Sequence, residues 1–144
     1  MTKTLAELSE KLRAIDFCTL STRTEGGAIA GRPMSNNAQV EGDLDAYFFS
    51  NGDARTVGDI EAEPKVGLAY QGKAGIIGQR PFFVTVEGEA ELIRDKARFE
   101  RHWTKDVERY FPDGIDTPGL TLIKVHAVRA HYWDGEEEGE LRVS

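Results

Sequence analysis

The chain has 144 residues, 40% hydrophobic and 30% charged, which suits a single domain with a real core. Its formal net charge of −7 argues against a nucleic-acid or anionic-membrane partner, either of which favours a basic face. No run approaches the roughly 20 apolar residues of a membrane span, and the N-terminus lacks the apolar core of a signal peptide, so the expectation is a cytoplasmic protein.

Thr4 to about Ile15 is predicted as a helix, because Leu5, Leu8, Leu12 and Ile15 recur at helical spacing and Thr4 with Glu7 forms a capping box. Phe17 to Thr24 reads as a strand that turns back at Glu25-Gly26-Gly27, and Ala28 to Asn36 reads as its hairpin partner. Cys18, the only cysteine, cannot form an intrachain disulfide, which suits a reducing compartment, and its apolar surroundings predict a buried thiol. A turn at Glu41-Gly42-Asp43 leads to an aromatic strand, Ala46 to Ser50. Asp53 to Glu63 is predicted as a short helix with Asp53 as its cap, ended by Pro64. Lys65 to Gln71 is a strand, and Gly72 to Arg80, with three glycines, a loop.

Phe82 to Leu92 alternates apolar Phe82, Val84, Val86, Ala90 and Leu92 with mostly polar residues, the pattern of a half-solvated antiparallel strand. Gly88 interrupts the apolar face and marks a bulge or a bend. Asp95 to about Tyr110 is predicted as a helix and Leu120 to Trp133 as a last long strand. Residues 1–134 then form one domain, and the acidic 135–144 a loose tail. About six mostly antiparallel strands with few helices favour a mainly β fold, a closed or nearly closed β-barrel with flanking helices.

Several chemistries are excluded. Gly26 to Arg32 has glycines at both ends, but Arg32 and Pro33 replace the Lys and Ser/Thr of a phosphate loop and no helix follows. No dinucleotide fingerprint is present. His102, His126 and His131 lack zinc-ligand spacing; His126 and His131, five apart on one strand, are expected on opposite faces. No serine occupies a nucleophile elbow.

Two segments point to a ligand. Arg32-Pro33-Met34-Ser35-Asn36, and Tyr47 through Val57 with Ser50, Asn51, Arg55 and Thr56, each place an arginine beside hydroxyls where a strand ends. Guanidinium groups bind phosphate bidentately, and the N–H groups opening a helix near Ala54 add donors and a favourable dipole. A pair of surface arginines balancing the acidic charge explains the same residues equally well.

These segments, with Gly58-Asp59-Ile60, Trp103, Phe111-Pro112-Asp113-Gly114, Leu122-Ile123-Lys124-Val125 and Tyr132-Trp133-Asp134, resemble the general stress protein 26 branch of the pyridoxamine 5′-phosphate oxidase-like, FMN-binding split-barrel family. The resemblance runs from the first helix to Trp133. It implies a split barrel, a homodimer and two FMN sites between subunits. By position, Arg32 and Ala54-Arg55-Thr56 would hold the phosphate and ribityl chain. The backbone around Pro33 and Met34 would lie along the ring edge and Phe49 and Ser50 at its pyrimidine side, with Ser35 and Asn51 also among the cofactor-binding residues; Trp133 would pack by the flavin, the alternative being an interface or core aromatic.

Relatives carry Ser and Lys where this chain has Ala54 and Thr56. One lost charge-assisted contact weakens FMN by roughly tenfold to a hundredfold. The acidic stretch Glu136-Glu137-Glu138 replaces the Arg- and His-containing end of true pyridoxamine phosphate oxidases, so oxidation of that phosphorylated substrate is not expected. The expectation is an FMN carrier or weak flavin redox protein, with FAD as the alternative ligand. The competing readings are an FMN-dependent oxidoreductase on a small substrate and a barrel dimer without tight flavin binding.

Overall fold

The computed structural model describes residues 3–72 and 81–143; all but the first residue of the predicted glycine-rich loop lies outside them. Along the chain run α1 (Leu5–Arg13), β1 (Phe17–Arg23), β2 (Ile29–Ser35), β3 (Ala46–Asn51), α2 (Arg55–Ala62), β4 (Lys65–Gln71), β5 (Phe82–Ile93), α3 (Lys96–His102), α4 (Lys105–Glu108), β6 (Leu120–Asp134) and β7 (Glu137–Arg142). Thr4 caps α1 as its sequence signals: its hydroxyl accepts the Glu7 N–H at 3.1 Å, and the Glu7 carboxylate accepts the Thr4 N–H at 3.3 Å. The other end of α1 is held from a distance, because the buried Asn36 amide donates to the Leu12 and Ile15 carbonyls at 2.7 and 2.8 Å.

The sheet has the order β2-β1-β4-β5-β6-β3, with every pairing antiparallel and β7 added beside β6. It curls into a split β-barrel. Its outermost strands, β2 and β3, are not paired with each other, and the split lies between them. Alternation decides what fills the inside. Leu20, Leu68, Val84, Val86, Phe48 and Ile123 point inward and are almost fully buried, and Leu8 and Leu12 of α1 close the core. Each such side chain contributes about 1.5–3 kcal/mol by leaving water. A second core, including Tyr47, Phe99, Val107 and Phe111, joins the other side of β3 and β6 to α3 and α4.

Four expectations are corrected. Residues 137–142 are not loose: β7 pairs with β6 from Asp134↔Glu137 to Arg129↔Arg142, and alternate glutamates face solvent while Leu141 packs on the core. The helix expected over 95–110 is two helices, broken where Trp103 turns extended (φ −76°, ψ 131°) so that its ring reaches Phe49 and Phe111. Asp53 does not cap α2; Ala54 occupies the cap position and supplies no side-chain bond.

Finally, His126 and His131 share a face of β6. The pairing slips between Glu87↔Arg129 and Gly88↔Ala127, which leaves Val128 without an opposite residue and inverts the alternation beyond it. Gly88, singled out in the sequence, makes this bulge, because a Cβ there would stand 2.7 Å from both the His126 carbonyl oxygen and Val125 Cγ1.

Candidate functional site

The split between β2 and β3 opens into a groove of about 440 Å³, within the range of small-molecule sites. Pro33, Met34 and Ser35 form one wall from β2, and Phe49, Ser50 and Asn51 the other from β3. Six of the ten residues expected at a flavin are therefore brought together. Met34 sits on the inward face of β2, opposite Cys18, and packs against the core. Phe49 is held by edge-on contacts with Trp103 (centroids 5.0 Å) and Phe99 (5.8 Å).

Sequence reasoning missed the rest of the lining. Val107 and Phe111 close the groove from beyond β3; Phe17, Asn37 and Tyr110 rim it. Phe17 and Tyr110 are each 58% exposed, unusual for large apolar rings beside a groove. Asn37 (φ 49°) and Ala38 (φ 58°) occupy a tight left-handed turn closed by the Gln39 N–H to the Asn36 carbonyl at 3.0 Å. A non-glycine residue held there costs about 1–2 kcal/mol, so the turn is imposed by its surroundings. The Asn37 amide carbonyl accepts the Ser35 hydroxyl at 3.0 Å, which fixes the polar rim.

The four other expected residues lie outside the lining. Arg32 stands on the same face of β2 as Met34, two residues along, and aims at α2. Its guanidinium donates to Thr22 Oγ1 at 2.7 Å and the Leu20 carbonyl at 3.2 Å, and pairs with Asp59 at 3.5 Å. Asp59 also accepts the Thr22 hydroxyl at 2.8 Å. Arg55, exposed, is the first residue of α2 and shares a helix face with Asp59, four positions on. Thr56, the next residue, is buried. With no side-chain cap, the first N–H groups of α2 stay open to an acceptor from outside the helix.

Trp133 is remote from this groove. It lies on the outward face of β6, stacked on His131 at 4.0 Å, and His131 Nε2 stands 2.6 Å from Glu138 of β7.

The groove's lining carries no carboxylate, histidine or thiol. Cys18, behind Met34, has its thiol pKa pushed up to about 12 by burial and is no nucleophile. Among the described residues no group of His, Cys, Asp and Glu could hold a metal ion, and no helix is long and apolar enough to cross a membrane. The arrangement can seat a flat aromatic heterocycle with a polar edge; redox chemistry there would have to come from that ligand.

An open antiparallel barrel with a groove in its split defines the class. The chain matches the family model described as pyridoxamine 5′-phosphate oxidase like over residues 3–143, and it belongs to that family. Among solved structures it is similar to a general stress protein 26-related protein of the pyridoxinephosphate oxidase family from Clostridium acetobutylicum. That protein is 22% identical, with TM-score 0.79 over 96% of this chain and 94% of the other. General stress protein 26 from Bacillus anthracis is 21% identical, with TM-score 0.74 over 94% and 98%. A heme-binding protein from Mycobacterium smegmatis is 16% identical, with TM-score 0.77 over 99% of this chain and 59% of the other. These likenesses establish the split-barrel fold. No curated protein matches the chain.

Proposed function

We propose that the protein binds FMN in the β2–β3 split and acts as a flavin carrier or weak flavin redox protein of the general stress protein 26 type. The observation that carries this reading is the convergence of Pro33-Met34-Ser35 and Phe49-Ser50-Asn51, from the two unpaired edge strands, on one groove. An isoalloxazine needs an apolar slot with polar groups at one rim, and Met34, Phe49 and Phe111 with Ser35, Ser50 and Asn51 supply both.

The strand directions support the phosphate end. Six successive antiparallel strands leave β2 and β3 themselves antiparallel across the split, so Arg32 and the start of α2 stand at the same end of the groove. Arg55 and the uncapped N–H groups of α2 are the free donors there. Arg32 is already engaged by Asp59 and is the weaker anchor. Ala54, where relatives have serine, leaves the helix N–H groups to the ligand and thereby offsets part of the charge missing at Thr56.

Trp133 fits this reading only from a second subunit. It stands on the outward face of the sheet, where Thr19, Gly31, Gly67, Ala69 and Thr85 form a smooth surface of small residues across β2, β1, β4 and β5. A homodimer packed through that face would bring each chain's Trp133 toward the other's groove and cover Phe17 and Tyr110.

Because the lining holds no acid or base, the carrier reading leads. An oxidoreductase would draw its chemistry from the flavin alone. Titration with FMN, FAD, riboflavin and haemin tests the reading. Saturation by FMN at one per chain, with riboflavin weaker by its missing phosphate, supports it. A preference for haemin, or no saturation by any flavin, overturns it. Oxidation of a reduced nicotinamide by the FMN-loaded protein would favour the oxidoreductase.

A further inference from the structure

A second depression, of about 420 Å³, lies on the far side of the Asn36–Gln39 turn and shares no lining residue with the groove. Its floor is the ring of Tyr47, on which His102 of α3 stacks at 3.7 Å and 15°. The His102 Nδ1 is fixed 2.9 Å from the Gln39 amide oxygen, and the Tyr47 hydroxyl donates to Glu41. Around this stack stand Arg98, Arg101 and Lys124, against Glu41 as the lining carboxylate. Three cations converging on one spot are unexpected in a chain of net charge −7.

The cations are also under-used. Arg98 is 3.7 Å from Glu91, and Lys124 3.8 Å from Asp45, both beyond hydrogen-bonding distance. Arg101 has no carboxylate within ion-pairing distance among the described residues. Asp45 and Glu91 instead hold His126, at 3.2 and 3.1 Å. Two guanidinium forks and an ammonium thus keep donors to spare over a rigid aromatic floor. The Tyr47 ring is already stacked by His102 and has the Lys124 ammonium 5.5 Å from its centroid, so an occupant would be recognised by its charge and not by stacking.

We propose that this depression is an anion site for a small phosphate-bearing molecule, held by Arg98, Arg101 and Lys124 and separate from the groove in the split. Arginines one helical turn apart on α3 would grip the phosphate oxygens bidentately, and Lys124 would supply a point charge from the strand beneath.

Inorganic phosphate is the probe. It is titrated by calorimetry, and by the rise in Tm, at constant ionic strength set with chloride. The expected result is saturable binding that Arg101→Ala and Arg98→Ala each weaken by about tenfold or more, while the surface variant Arg94→Ala leaves it unchanged. If either variant lowers the Tm in chloride alone, Lys124→Gln carries the test with the same expectation. The proposal is overturned if phosphate acts no differently from chloride. It is equally overturned if Arg55→Ala abolishes binding while Arg101→Ala does not, which would assign the anion to the start of α2.

Discussion

Asp45→Ala should be among the most damaging single substitutions outside the apolar core. Asp45 ends the β2–β3 connection, is 7% exposed, and lies 82 positions from the backbone it serves. Its Oδ1 accepts the Ala127 N–H at 3.0 Å, directly beside the bulge at Val128, where the slipped pairing disturbs the ladder. Its Oδ2 faces His126 Nδ1 at 3.2 Å. Alanine would strand a buried donor and remove an acceptor that is charged. The two losses overlap, and together they cost about 2–3 kcal/mol. At about 3–4 °C per kcal/mol for a chain of this size, the Tm should fall by roughly 6–12 °C. Asp45→Asn keeps an oxygen for the Ala127 N–H and should lose less than half as much. Thermal unfolding followed by circular dichroism reads both variants. A fall of under about 2 °C for Asp45→Ala, or an equal fall for Asp45→Asn, would refute the claim that this carboxylate ties the connection to the bulge.

Gly88→Ala should cost about 1–3 kcal/mol in urea unfolding, because the new methyl meets a backbone oxygen and a fully buried valine at 2.7 Å and neither can swing aside; an unchanged midpoint would contradict the bulge packing. His102 has its pKa lowered, first by burial and then by Arg98, Arg101 and Lys124, with Glu41 opposing. The unfolded chain therefore takes up this proton first as pH falls, and stability is lost below about pH 6.5. The Tm of His102→Gln should accordingly fall less than that of the parent on acidification from pH 7, and equal slopes would refute this. Cys18, its pKa raised to about 12 by burial, should resist thiol reagents at pH 8 until the chain unfolds; rapid labelling of the native protein would contradict its placement.

Local signals in the chain were read correctly where local physics decides the outcome. The Thr4–Glu7 capping box, the alternation of Phe82 to Leu92 and the break at Gly88 each became the expected feature. So did the strand that carries Pro33 and Met34 and the one that carries Phe49 and Ser50. What failed depends on partners far along the chain. Glu137 to Arg142 looks like solvated acid until β6 offers an edge for it to pair with. The 95–110 helix breaks because Trp103 is drawn into an aromatic cluster with Phe49 and Phe111. The bulge that puts His126 and His131 on one face needs the register of two strands, which neither strand shows alone. Half of the groove was hidden for the same reason: Val107 and Tyr110 read as helix residues and Phe111 as the start of an irregular segment, and nothing local says that they close a split between β2 and β3. The engagement of Arg32 by Asp59 was equally invisible, and it leaves Arg55 the less engaged of the two arginines.

The flavin proposed for the β2–β3 split would be anchored at the start of α2. FMN titration, followed by quenching of flavin fluorescence on the parent, Arg55→Ala and the surface control Arg94→Ala, tests it most directly. One FMN per chain is expected, with affinity lowered about tenfold or more by Arg55→Ala and unchanged by Arg94→Ala. Absence of saturable binding in the parent, or an Arg55→Ala curve that overlies it, would contradict the account.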